Sequence, residues 1–388
     1  MFHGVLMPSR LHILALLIAT SCGAGASGAG SVTDGSLGGR SSLDGESESE
    51  VDGDGSVLRG DTTVDATGDA TLLDAGLATD SPGCPAAPNG APGDGGDDSG
   101  AITLATDLFA ADHLAVDDTS VYWTDYSGDR VMRAPIAGGQ PTVVASTGTP
   151  WPAGIAVDGT SVYWASSGGQ RLLKCAKGAC NCVPTVIGAP LGNVTEIALD
   201  AQNVYAIDFA GGRVLACAVS GCRNNPTVLA SGLRYPLAIA VDKVNVYWVT
   251  PSAVMKCAVG GCANAPTVLA AGPRSPQGIA VDGQNVYWTD NSGGAVLKCA
   301  IGGCPGGASA VLSDAGEPAG IATDGVRAFF TDIGSATGQN PGRVLACPVA
   351  GCATPTVLLS GISNPWGIAL DATRVYVAES GRIVAIDK

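Results

Sequence analysis

From about residue 111 to the C-terminus, apolar positions recur in short runs separated by polar turns, with a period of about 42 residues. The unit is clearest in Gly278-Ile-Ala-Val-Asp282, then Val286-Tyr-Trp-Thr-Asp290, then Leu297-Lys-Cys299, with a fourth run of the kind seen at Thr267-Val-Leu269. Runs this short, rich in β-branched and aromatic residues and bounded by turn formers, predict strands rather than helices. A unit of four such strands cannot bury its apolar faces alone, so it must stack against copies of itself. Four strands in about 42 residues is one blade of a propeller.

Copies are counted by an aspartate that follows the first run: Asp117, Asp158, Asp200, Asp242, Asp282, Asp324 and Asp371, which makes seven. The second run follows each of them, from Val121-Tyr-Trp to Val375-Tyr-Val. The seventh copy stops at Lys388 after its third run, while an orphan run, Ile102-Thr-Leu-Ala, precedes the first copy. That orphan is expected to complete the last blade and so leave no open edge between first and last. Residues 101–388 are therefore read as one all-β, seven-bladed β-propeller of four-stranded blades, closed by an N-terminal strand.

Pro276-Gln-Gly-Ile-Ala-Val-Asp282 followed by Val286-Tyr-Trp-Thr-Asp290 resembles the NHL repeat and the related YWTD repeat of lipoprotein-receptor propellers. The resemblance extends over all seven copies. It implies a propeller and says little of function, since propellers host many unrelated activities. Those families usually have six blades, so the seventh is a departure.

The first hundred residues are of another kind. A short basic start ending at Arg10, an apolar stretch from Leu11 to Ala19 and small residues beyond it read as a secretory signal, too short to span a bilayer. Ala19-Thr-Ser-Cys22 resembles a bacterial lipobox, although leucine is usual where Ala19 stands. Residues 1–22 are accordingly read as a signal peptide ending at a lipidated Cys22; cleavage at Ala24-Gly-Ala26 is the competing reading. Residues 23–100, mostly Gly, Ser, Ala and Asp without an aromatic, are expected to be a disordered acidic tether. Most of the net charge of −15 sits there, and neither it nor the near-neutral propeller offers the basic footprint that nucleic acid requires. The chain is expected at the bacterial cell envelope, lipid-anchored at the outer membrane, or secreted, as a monomer whose only membrane contact is a lipid anchor.

Cysteines fall at one place in five successive copies: Cys175/Cys180, Cys217/Cys222, Cys257/Cys262, Cys299/Cys304 and Cys347/Cys352. Copy one has Ala134 and Gly139 instead, and loss of both partners together is what a bond between them would produce. Each pair is expected to staple the loop between third and fourth strands in an oxidising compartment. Cys84 and Cys182 remain, and a bridge between them is expected, with exchange among Cys175, Cys180 and Cys182 as the alternative. Nothing in their spacing favours zinc.

Residues shared by the copies belong to the scaffold. The seven aspartates are expected to form turns, Trp123, Trp164, Trp248 and Trp288 to fill space between blades, and Asp125, Asp208, Asp290 and Asp332 to tie neighbouring blades. Function is expected where copies differ: in the loops from fourth strand to next first strand and from second to third, which share one face. There the sequence places Asp112, His113, Trp151, Glu196, Arg234, Tyr235, Asn364 and Trp366, with Tyr126, Phe209 and Asn291 in the second loop set and an insertion from Ser335 to Pro341. Three large aromatics among mixed charges suggest a surface for protein, peptide or glycan, with no cofactor. The alternative is a metal-assisted lyase or hydrolase using His113, the one histidine beyond the signal region, with Glu196. A structural spacer is the third possibility.

Overall fold

The computed structural model describes residues 100–388 except 109, 147 and 335–340. The signal segment, Cys22, Cys84, nearly all of the tether and most of the insertion beginning at Ser335 lie outside the described residues. Within them the chain forms seven antiparallel sheets of four strands, and no helix. Blade one shows the plan: Ala111–Val116, Ser120–Asp125, Arg130–Pro135 and Thr142–Ala145, paired in chain order. The first strand of each blade touches the first strands of both neighbours, so these seven form the inner ring.

Blade seven closes the ring. Its order runs Ile102–Ala105, Arg382–Asp387, Arg374–Glu379, Ile368–Leu370, with Ile102 opposite Ala385 and Thr103 opposite Val384. The orphan run of the sequence is thus the outer strand of the last blade.

Alternate residues of a strand point to opposite faces, and here both faces meet another blade. In blade one Tyr122 packs with Val162 and Trp164 of blade two, while Trp123 packs with Tyr376 and Ile383 of blade seven. The same division gives seven apolar clusters, each shared by two adjacent blades. Trp123, Trp164, Trp248 and Trp288 are essentially fully buried in them.

The repeated aspartates build the turn between first and second strands. Asp200 Oδ1 accepts the N–H groups of Gln202 and Asn203, both at 2.7 Å, and all seven copies form an equivalent pair of bonds. The other oxygen accepts the Tyr205 hydroxyl at 2.7 Å. The second set of aspartates acts differently from expectation. Asp208 accepts from Asn193 N and Gly211 N, Asp290 from Ser275 N, and Asp332 from Glu317 N. They pin the segment entering their own blade; Asp125 instead holds Gly128 N and Arg130. Ties between blades come from long basic side chains of the third strands, as where Lys174 Nζ donates to Val219 O of the next blade at 2.8 Å. Lys256, Lys298 and Arg133 make the corresponding bonds to Ile301, Val349 and Lys177.

Cys217 is bonded to Cys222, Cys257 to Cys262, Cys299 to Cys304 and Cys347 to Cys352. Blade two departs: Cys175 is bonded to Cys182, not to Cys180, so the expected Cys84 to Cys182 bridge does not form. The reason is a missing glycine. In blades three to six a glycine precedes the second cysteine with φ between 103° and 114° (Gly221, Gly261, Gly303, Gly351), a conformation closed to side-chain-bearing residues. Blade two has Ala179 there, and the left-handed turn passes to Asn181, at φ 45°. Cys182 then takes the place of the usual second cysteine, its N–H donating to Val144 O of the preceding blade as Cys222 N donates to Ile187 O, both at 2.8 Å. Cys180 is itself disulfide-bonded.

Candidate functional site

The residue immediately before the Ile-Ala-Val type run marks one position of the inner ring: His113, Gly154, Glu196, Ala238, Gly278, Gly320 and Gly367. The small residues are required by crowding. A Cβ on Gly278 would lie 2.7 Å from Ala319 O, and one on Gly154 would lie 2.8 Å from Glu196 Cα, each in the following blade. Blades one and three break the rule, and their side chains meet: His113 Nε2 lies 2.8 Å from Glu196 Oε1, with both side chains mostly buried. Since an ionised carboxylate only accepts, Nε2–H is the donor. Gly154 in the intervening blade adds no side chain to the path between them.

Asp112 is the extra residue of a bulge, because Ala111 faces Asp125 while His113 faces Thr124. Its carbonyl packs on Gly367, whose added Cβ would stand 2.6 Å away, and its side chain is half-buried.

Farther out on the same face, Trp151 is 53% exposed, and all other exposed large apolar residues among those described are valines. It is held firmly. Its backbone sits at φ 51°, unusual for so bulky a residue, with Trp151 N donating to Asp129 Oδ1 at 2.8 Å and Trp151 O accepting from Ser167 N at 3.1 Å and Ser167 Oγ at 3.0 Å. The indole stacks on Tyr126 of the second-to-third loop of blade one, centroids 6.3 Å apart, and lies against Gly168. Burial, then the carboxylates of Asp129 and Asp112, push the Tyr126 hydroxyl above its ordinary pKa, which keeps it a neutral donor.

A second aromatic pair repeats this arrangement two blades on. Tyr235, at φ 47°, stacks on Phe209 at 5.5 Å, with the exposed Arg234 guanidinium 5.8 Å from the Tyr235 centroid. Asn364 takes the corresponding backbone conformation at φ 50°, but its Oδ1 accepts from Trp366 Nε1 at 3.1 Å. Trp366 is only 6% exposed, so it is not part of an aromatic rim. It stands two residues further along the chain than Trp151 and Tyr235, at the start of the inner strand, where Ala153, Gln277 and Ala319 are also buried. Among the described residues two aromatic ledges remain, at the joints between blades one and two and between blades three and four.

Sequence reasoning did not find the His113–Glu196 bond or the stacking of Tyr126 and Phe209 beneath the rim residues. The signal for the first was present: two charged or polar residues at a position otherwise held by glycine or alanine.

No family model and no curated protein sequence matches this chain. Solved structures do match. A streptogramin B lyase, 13% identical, superposes with a TM-score of 0.61 over 74% of this chain and 95% of that one. The virginiamycin B lyase of Staphylococcus aureus, also 13% identical, gives 0.60 over 74% and 98%. The computationally designed Ika8 protein, 14% identical, gives 0.53 over 74% and 87%. At these identities the likeness shows the propeller fold alone.

Proposed function

We propose that this chain is an envelope-anchored binding module whose ligand, a protein, peptide or glycan, sits on the face carrying Trp151, Tyr235, Arg234, His113 and Glu196. The observation that carries this reading is the half-exposed indole of Trp151, locked by Asp129 and Ser167 in a backbone conformation that tryptophan disfavours. Strain retained at an exposed aromatic, on the face where blades differ, is expected of a ligand site and is superfluous in a spacer. In this reading Cys22 carries the lipid, residues 23–100 give reach, and the protein works as a monomer without cofactor or nucleic acid. The test is capture from envelope extracts by the mature chain, compared with a Trp151→Ala/Tyr235→Ala variant. Loss of capture at unchanged thermal stability supports the proposal; equal capture by both forms removes it.

The His113–Glu196 bond favours a second reading, a propeller lyase or hydrolase. A carboxylate bonded to an imidazole orients the ring and raises its basicity, as proton abstraction requires. Among the described residues no group of three or more His, Cys, Asp or Glu is placed to hold a metal ion, so metal assistance would need a further ligand. Turnover of cyclic esters by the wild type, abolished in His113→Ala, would establish this reading over the first.

A further inference from the structure

We infer that the ligand of this face is a carbohydrate chain, whose sugar rings pack on Trp151 and Tyr235 and whose hydroxyls bond the His113–Glu196 pair. The inference rests on the binding reading above and names its ligand class. Three observations carry it.

Among the described residues, apolar surface on this face is isolated. The exposed valines lie elsewhere: Val186, Val228, Val268 and Val357 on outer strands, Val183 in a third-to-fourth loop, Val244 and Val326 in turns between first and second strands. A stable protein interface buries about 1,600 Å² around an apolar core. Separate aromatic ledges amid polar groups do not supply one. A pyranose suits them, because it presents a small C–H face ringed by hydroxyls.

Both ledges are fixed before any ligand arrives. Tyr126 and Gly168 support Trp151, and Phe209 supports Tyr235, so little side-chain freedom remains to be lost on binding.

The polar groups also suit hydroxyls. Trp151 enters blade two, Glu196 stands in blade three and Tyr235 enters blade four, so a carboxylate lies between the two ledges in ring order. The bond to His113 holds that carboxylate in one orientation. Arg234, exposed beside Tyr235, adds donors.

The test is isothermal titration of the mature protein with cellohexaose, chitohexaose and laminarihexaose, with Trp151→Ala, Tyr235→Ala and Gly168→Ala alongside. A Cβ on Gly168 would lie 2.9 Å from Trp151 Cε3, so that variant shifts the indole without removing it. At least one sugar is expected to bind the wild type, with affinity falling about tenfold in each variant while melting temperatures hold. Sugar binding that is indifferent to Trp151 and Tyr235 overturns the site. No sugar binding, with capture of a peptide or protein through Trp151, overturns the ligand class and leaves the binding reading standing. No ligand of any class overturns both.

Discussion

The Tyr376 hydroxyl donates to Asp371 Oδ2 at 2.6 Å, and five other blades repeat the bond. At Asp117 burial raises the carboxyl pKa, but Lys177 and the N–H groups of Thr119 and Ser120 outweigh it and bring the value down to about 2. Asp158, Asp324 and Asp371 are lowered as well, by the same kind of bonds acting against burial. A carboxyl with a lower pKa in the folded state stabilises above about pH 4, and that contribution is lost as pH falls toward 2. The tyrosines work in the opposite sense. Burial and then the Asp117 charge push Tyr122 up to about 12, so its contribution is full below about pH 10 and lost as pH rises through 12. Melting temperatures measured from pH 2 to 12 should therefore form a plateau bounded on both sides.

Blade six is a natural control, since Phe329 replaces the tyrosine and Asp324 keeps its two backbone bonds without a phenolic one. Tyr205→Phe should cost about 1 kcal/mol in chemical denaturation. Phe329→Tyr should recover up to about that much if the new hydroxyl reaches Asp324.

Peptide mapping without reduction should yield a Cys175 to Cys182 cross-link. Cys182→Ser should remove the staple of blade two, at a loss of up to about 2 kcal/mol, while Cys180→Ser should leave that cross-link intact. Ala179→Gly restores the residue that the other blades use, and a Cys175 to Cys180 species should then appear.

Gly278→Ala places a Cβ 2.7 Å from Ala319 O on the inner ring. A loss of about 1–3 kcal/mol is expected, because backbone cannot yield as a flexible side chain can. Gly154→Ala should act at Glu196 instead, lengthening its bond to His113, which a crystal structure of the variant would reveal.

Trp366→Ala should lower stability by about 3 kcal/mol or more, as removal of a buried tryptophan does, whereas Trp151→Ala should change it little. The two melting curves separate core from surface directly.

The blades, their number and their closure were legible in the sequence because each rests on local repetition: Asp200 and Tyr205 lie five residues apart and recur with the period. Relations between blades were legible only in part. His113 and Glu196 are separated by 83 residues and an intervening blade, so no periodicity links them. Trp366 looked like a counterpart of Trp151, but a shift of two positions moves a side chain from rim to core. Ala179 was a readable exception to the Gly-Cys pattern, and its effect follows from backbone sterics alone.

Closure by Ile102–Ala105 also dictates an order of events. The first strand of the propeller to be synthesised is the partner of the last, Arg382–Asp387, so it must wait for the whole chain before its ladder can form. A chain interrupted a few residues early would hold six complete blades and an unsealed seam, and that seam alone would mark it as unfinished.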